Sequence, residues 1–208
     1  DVFFYHLGLL LGPQAIHDYA VLFGFSKPTG VDLLYENAGQ VQDPLWKKLN
    51  QFKGWYDGDT ANFAIGQGEL LVTPLQVARM MAVFANDGEL VRPFVVRIVA
   101  GVDVSKEKKK ITRLGLKRQV LDYVREGLKQ VVQDPTGTAN ILSTLKVSVA
   151  GKTGTAQTSR GASHGWFSGY FPFERPKFVI CVLLENGGSG GAAVGVAKNI
   201  IEAILEQG

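Results

Sequence analysis

The sequence is poor in the residues that cross-link or metallate a fold, with one cysteine, Cys181, and three histidines in 208 residues. A single thiol excludes an intrachain disulfide and any thiol pair for zinc. His6 and His17 have no ligand-like partners nearby in the chain, so neither a metal nor another cofactor is expected. Cys181 stands inside the apolar run Phe178 to Leu184, where a buried structural thiol is the natural reading. No apolar run approaches the ~18 residues of a membrane span, and the N-terminus lacks a charged-then-apolar leader pattern. Charge of one sign is also scarce, 22 Lys and Arg against 19 Asp and Glu leaving +3. That excludes the concentrated cation of a nucleic-acid partner. The one dense basic run, Lys106 to Lys110, reads as a solvated loop tip.

What the chain does hold is enough apolar content for a core, 46% hydrophobic against 20% charged, at a length that suits one compact domain. Asp1 can cap a helix whose apolar run to Leu11 predicts a buried element ending near Gly12 and Pro13, followed by a second helix from Gln14 to Phe23. An opening this apolar suggests a piece cut from inside a domain. Ser26 to Thr60, punctuated by Gly and Pro, predicts an ordered irregular surface region. Thr73-Pro74-Leu75-Gln76 is a capping box with Pro at N1, starting a helix that stops at Asn86-Asp87-Gly88, and Gly66 and Gly68 shape a turn before it. Phe94 to Ala100 predicts a strand. Lys117 to Gln133 predicts an amphipathic helix with Val120, Val124, Leu128 and Val131 on its apolar face. Lys146 to Ala150, Trp166 to Phe171 and Phe178 to Leu184 predict three antiparallel strands, covered by a closing helix, Ala192 to Glu206, through Val196, Ile200 and Ile204. The sum is an α+β fold, an antiparallel sheet flanked by helices.

Two glycine-rich segments compete for chemistry. Gly151-Lys152-Thr153 imitates the end of a phosphate-binding loop, but the position that needs the first Gly is Lys146 and a polar turn follows where a helix should begin. Gly187 to Gly191 has no lysine and reads as a flexible or closely packed loop. Lys152-Thr153-Gly154-Thr155 makes better sense as the edge of an active-site strand. The ammonium supplies positive field for a substrate carboxylate, the two hydroxyls can donate to it, and Gly154 leaves room for a substrate to lie against the backbone. A backbone N–H there can stabilise an oxyanion, a contribution on the order of 2.7–4 kcal/mol.

Around this strand stand Gly58-Asp-Thr60, Ile65-Gly-Gln-Gly68 followed by Thr73-Pro-Leu-Gln76, and Gly137-Thr-Ala139. Lys152-Thr-Gly-Thr-Ala-Gln157, His164-Gly-Trp-Phe-Ser-Gly-Tyr170 and Leu184-Glu-Asn-Gly-Gly188 follow in order. With these motifs the chain resembles the class B penicillin-binding proteins of the elongation type, over nearly its whole length. The resemblance implies a penicillin-binding transpeptidase fold, similar to the serine β-lactamases and incomplete at the N-terminus, with residues 1–208 the C-terminal portion of a single transpeptidase domain. It also implies a serine D,D-transpeptidase that cross-links peptidoglycan stem peptides and is acylated by β-lactams. A β-lactamase, a D,D-carboxypeptidase or a noncatalytic penicillin sensor are related alternatives.

The family's site has three elements, Ser-x-x-Lys, Ser-x-Asn or Ser-x-Asp, and Lys-Thr-Gly. Here the third is intact, Asp1 resembles the last residue of the second, and no serine followed three positions on by lysine stands in the required setting. The resemblance assigns Lys152 to electrostatics and proton relay, Thr153, Gly154 and Thr155 to the substrate carboxylate, Thr155 N–H to the oxyanion, and Asp1 to the leaving-group side. Packing roles fall to His164, Trp166 and Phe167. A chain without the nucleophile is expected not to form an acyl-enzyme by itself. By the same resemblance the parent lies on the outer, periplasmic face of the bacterial cytoplasmic membrane, held by an anchor outside this chain, with a SEDS-type glycosyltransferase and elongation proteins as partners.

Overall fold

The computed structural model describes residues 1–158 and 161–207. The chain divides into two compact units, Asp1–Gln76 with Arg92–Lys109, and Val77–Val91 with Lys110–Gly208. Among the described residues no helix is long and apolar enough to cross a membrane.

In the first unit, α1 (Val2–Leu22) is a pair of helical segments broken at Gly12, whose φ of 77° and ψ of 161° leave the helix just before Pro13. The break falls where the Gly-Pro pair predicts it. Burial does not follow the expectation: Val2, Phe3 and Leu10 are 80%, 71% and 72% exposed, and Gly8 alone of this helix is buried. The reason lies in the composition, which is apolar on every side, so the single face turned to α3 (Asp57–Ala64) cannot cover it. A Cβ at Gly8 would stand 2.3 Å from Ala64 Cβ, which shows how closely the two helices cross.

The stretch expected to be irregular contains a further helix, α2 (Pro44–Gln51), capped by the Asp43 carboxylate on Trp46 N–H at 2.6 Å with Pro44 in its first turn. Asp43-Pro44 is itself a start signal, passed over among the surrounding Gly and Pro. Around α3, Tyr56 N–H donates to Asp59, Trp55 Nε1–H donates to buried Thr60 at 2.8 Å, and Lys47 pairs with Asp59 at 2.7 Å.

Gly66 and Gly68 adopt φ of 74° and 83°, forming the expected turn ahead of α4 (Pro74–Ala85). The capping box is present, Thr73 N–H donating to Gln76 Oε1 at 2.9 Å and Gln76 N–H to Thr73 Oγ1 at 3.2 Å. Gln76 does more than cap. Its amide nitrogen donates to Lys27 O and Ala38 O, at 3.0 and 2.7 Å, and the side chain is 1% exposed. One buried amide thus holds two loop carbonyls, 11 residues apart in the chain, to the start of α4.

The strand expected over Phe94 to Ala100 shrinks to β2 (Ile98–Val99), paired with β3 (Val102–Asp103). Asp32 explains the rest: its carboxylate takes the Val95 and Val96 N–H groups, at 2.7 and 3.2 Å, leaving them no ladder to join. Lys108, on the short α5 (Ser105–Lys108), closes an ion pair on the same carboxylate. Glu36 grips the neighbouring loop through Thr29 N–H at 2.7 Å and Gly30 N–H at 2.9 Å. Burial works against its charge, but the hydrogen bonds from Thr29, Gly30 and Val31 outweigh it and hold the carboxyl below its ordinary pKa.

In the second unit, α4 ends at Asp87 and Gly88, both at positive φ, and β1 (Glu89–Val91) pairs antiparallel with β4 (Ile111–Arg113). These two short strands carry too few residues to show a pattern in sequence. The helix α6 (Arg118–Gln133) buries Leu121, Leu128 and Val132, whereas Val120 and Val124 are exposed, so its inward face is turned from the expected one. A short 3-10 helix (Asn140–Thr144) leads to the main sheet, β5 (Ala150–Ala156), β6 (His164–Phe171) and β7 (Phe178–Leu184), antiparallel in that order. The first strand therefore begins where Lys146 to Ala150 was expected to end. The earlier residues run into the sheet irregularly, with Ser148 O and Oγ both accepting from Phe173 N–H.

The closing helix α7 (Gly190–Glu206) covers one face through Ala193, Val194, Ala197 and Ile201, with Val196 and Ile200 exposed instead of buried and Ile204 partly buried. The small residues face inward because they let the helix backbone approach the sheet. A second cluster, Met81, Leu128, Ala150 and Tyr170, packs the opposite face. Cys181 is half-buried instead of fully buried, yet burial pushes its thiol up to about 11, although its hydrogen bond with Ser168 pulls the other way.

Replacing Gln76 by leucine strands two carbonyls and one N–H, and is expected to destabilise the fold by about 2–4 kcal/mol, measured by urea unfolding. Glu36 gives a pH signature. Because its folded pKa lies below the unfolded one, its contribution is complete above the unfolded value and disappears as the pH falls through the folded value. Glu36→Gln should therefore flatten the loss of stability between about pH 5 and 3 in the same assay.

Candidate active site

At one edge of the described sheet runs β5, so one row of its backbone groups faces away from β6. The register sets Lys152 opposite Ser168, Thr153 opposite Phe167, Gly154 opposite Trp166 and Thr155 opposite Gly165. Directly opposed residues share a face, and faces alternate along a strand. Ala150, Lys152 and Gly154 therefore lie on the side of Tyr170, while Thr153 and Thr155 lie on the side of Phe167, which α7 covers.

Lys152 is exposed, and its ammonium donates to Thr153 O at 2.9 Å, so the charge is held against its own strand without an acidic partner in that bond. Gly154 lies against the Trp166 side chain: a Cβ there would stand 3.3 Å from Trp166 Cβ. Thr155 Oγ1 accepts from Gly190 N–H, in the first turn of α7, at 3.2 Å. Thr153 Oγ1 is 2.7 Å from Thr138 Oγ1. Both threonine hydroxyls are thus tied to neighbouring segments, a feature that the tripeptide motif alone does not announce.

The Gly187 to Gly191 segment is closely packed at Gly187 and Gly190 and open at Gly188. At Gly190 a Cβ would come within 2.9 Å of Gly154 O and 3.0 Å of Thr153 Cβ, and at Gly165 within 2.2 Å of Ser189 O. Phe167 is fully buried, as a packing residue should be, whereas His164 also makes a polar contact, its Nδ1 accepting from Asn186 N–H at 2.9 Å. Asp1 lies at the N-terminus of α1, exposed, its carbonyl accepting from Tyr5 N–H at 3.0 Å and its carboxylate making no capping bond. It belongs to the first unit, and Lys152, Thr153, Gly154 and Thr155 to the second.

The bare Ser-x-x-Lys spacing does occur, at Ser105 to Lys108 and at Ser143 to Lys146. Neither setting suits a nucleophile. Lys108 is committed to the Asp32 carboxylate. Ser143 lies in the 3-10 helix, and the chain turns extended at Leu145 before Lys146, so no helical turn brings the two side chains together.

A family model for the penicillin binding protein transpeptidase domain matches residues 1–206. The chain belongs to that family, and its fold is the penicillin-binding transpeptidase fold, helices with antiparallel sheets. Within the family the likeness is to the MrdA or PBP2 type. The peptidoglycan D,D-transpeptidase MrdA of Acinetobacter baumannii is 33% identical over 97% of this chain and 32% of its own length. PBP2 of Helicobacter pylori, solved in complex with MreC, superposes with a TM-score of 0.90 at 33% identity, over 100% of this chain and 38% of the other. PBP2 of Pseudomonas aeruginosa, solved in complex with WCK 5153, gives 0.88 at 33% identity, over 98% and 46%. The chain spans about a third of the length of the curated relatives it matches.

Gly165→Ala is expected to lower stability by about 1–3 kcal/mol, since its Cβ must displace the Ser189 backbone and with it the start of α7. Urea unfolding of the variant measures this.

Proposed function

We propose that this chain is the C-terminal part of the transpeptidase domain of a class B penicillin-binding protein, a peptidoglycan D,D-transpeptidase that works through a serine acyl-enzyme. The observation that carries the reading is the Lys152-Thr153-Gly154-Thr155 strand at the sheet edge, its lysine exposed and its two hydroxyls tied. Both units then belong to one domain, since the family match runs across them.

In the reaction, a serine hydroxyl from the part of the protein outside these residues attacks the carbonyl of the stem peptide's terminal amide. The new C–O ester bond forms as the C–N bond breaks, and the terminal residue leaves with the serine proton. An amine of a second stem peptide then attacks the ester, forming the cross-link and returning the proton to the serine. Lys152 supplies positive field beside the attacking hydroxyl and assists that proton's movement. Thr153 and Thr155 donate to the terminal carboxylate, Gly154 lets the peptide approach the strand, and Thr155 N–H stabilises the tetrahedral oxyanion. Asp1 matches by resemblance the last residue of the second motif, which in that family serves the leaving-group side. A β-lactam meets the same groups because it presents a carboxylate and an acyl carbon to them.

The likeness to MrdA proteins and to a PBP2 solved with MreC supports a place in cell-elongation machinery. In that setting the protein is anchored to the cytoplasmic membrane, faces the periplasm, and works beside a SEDS-type glycosyltransferase.

The test is covalent labelling with a fluorescent penicillin. The 208-residue chain alone forms no adduct, while the full-length protein carrying it labels stoichiometrically at a serine outside these residues. In the full-length protein, Lys152→Ala slows labelling by about a hundredfold or more. A stoichiometric adduct on the isolated chain, or unchanged labelling by the lysine variant, contradicts the assignment.

A further inference from the structure

We infer that Thr138 is a positioning residue for carboxylate recognition: its hydroxyl donates to Thr153 Oγ1 and so aims the Thr153 O–H at the bound carboxylate. The inference rests on the transpeptidase reading and adds to it a residue outside the Lys-Thr-Gly strand.

The two hydroxyl oxygens are 2.7 Å apart, a full hydrogen bond between segments 15 residues apart in the chain. Thr138 does not arrive there by a loose loop. Gly137 N–H donates to Asp134 O at 2.8 Å, and Ala139 N–H to Val131 O at 3.1 Å. The Asp134 carboxylate accepts from both the N–H and the hydroxyl of Thr136, at 2.7 and 2.6 Å. Asn140 Nδ2 donates to Val132 O and Asp134 O, at 3.1 and 3.0 Å, tying the exit of the turn to the end of α6. A Cβ at Gly137 would stand 2.3 Å from Val131 O, so glycine is required for the turn to close this tightly. Ala139 is fully buried, which leaves Thr138 as an exposed side chain between two anchored neighbours.

Proton counting gives this contact a direction. Each hydroxyl has one proton, so in a hydroxyl pair only one oxygen donates to the other. If Thr153 donates to Thr138, its proton is used up, and it meets a carboxylate with lone pairs. If Thr138 donates, a lone pair of Thr153 is occupied and its proton is released to the ligand. A carboxylate only accepts, so binding selects the second orientation, and the chained bonds polarise one another. Thr138 thus acts through Thr153, and only on ligands that carry the negative group.

The experiment measures second-order acylation rates of the full-length protein with a penicillin and with its methyl ester, which lacks the charge. Thr138→Val is expected to slow the free acid by about fivefold to tenfold and the ester by no more than about twofold, while Thr138→Ser leaves both within about twofold of wild type. Added to Thr153→Val, Thr138→Val has little further effect on the acid. Thermal unfolding checks the variants, with Thr138→Ala replacing valine if the latter does not fold. An equal loss on acid and ester, or no loss on the acid, overturns the inference while leaving the transpeptidase reading in place. Absence of any adduct in the wild-type full-length protein overturns that reading and this inference with it.

Discussion

The arrangement of the candidate site depends on how closely α7 comes to the strands it covers. Side-chain carbon is missing at two points of close approach, at Gly165 beneath Ser189 and at Gly190 beside Gly154 and Thr153, and the buried positions of the helix that follow are Ala193, Val194, Ala197 and Ile201. Larger residues at these points would hold the helix away from the sheet by a side-chain layer. At contact distance, Gly190 N–H reaches the Thr155 hydroxyl, and Thr153 and Thr155 are fixed on the covered side of β5. Strand alternation then places Lys152 on the opposite side, where it remains exposed. Lysine and threonines stand on two sides of one strand by alternation, and the glycines beneath the threonines let α7 close on their side.

That same packing explains where sequence reasoning succeeded and where it lost phase. Features set by short-range chemistry were legible: the break at Gly12-Pro13, the reciprocal bonds of Thr73 and Gln76, and the strands through Trp166 and Cys181. The two amphipathic helices are legible as helices, but their inward faces only in part: Leu128 is buried and Val131 and Ile204 pack on the core, whereas Val120, Val124, Val196 and Ile200 are exposed. α6 turns Leu121 and Val132 inward beside Leu128, and α7 turns Ala193, Val194, Ala197 and Ile201 inward and leaves Val196 and Ile200 partly in water. A period can be read from sequence, whereas its phase depends on how near the partner lies. The failed strand over Phe94 to Ala100 has another cause, a carboxylate 63 residues away in sequence that takes the amides a ladder would need.

For the site, the Lys-Thr-Gly strand was visible because its residue types carry chemistry without reference to their neighbours. What secures those residues was not visible. The Thr138 hydroxyl and the Gly190 amide come from segments remote in sequence, and neither Gly137-Thr138-Ala139 nor Gly187 to Gly191 states its partner. Asp1 could be matched to a motif position, but its carboxylate makes no capping bond to the helix it opens, so that helix start offers no geometry from which its role could be derived.

The first helix bears on why a third of the relatives' length is matched so completely. A helix that is apolar all round is suited to an interior, because no orientation against a single partner can cover it. In α1 the side turned to α3 is closed at Gly8 against Ala64, while Val2, Phe3, Leu10 and Leu11 meet water. Burying each large apolar side chain contributes on the order of 1.5–3 kcal/mol, so such a surface favours association with whatever complements it. The curated relatives matched over nearly all of this chain are about three times its length, so a helix of this girth has, in proteins of that length, more chain to pack against.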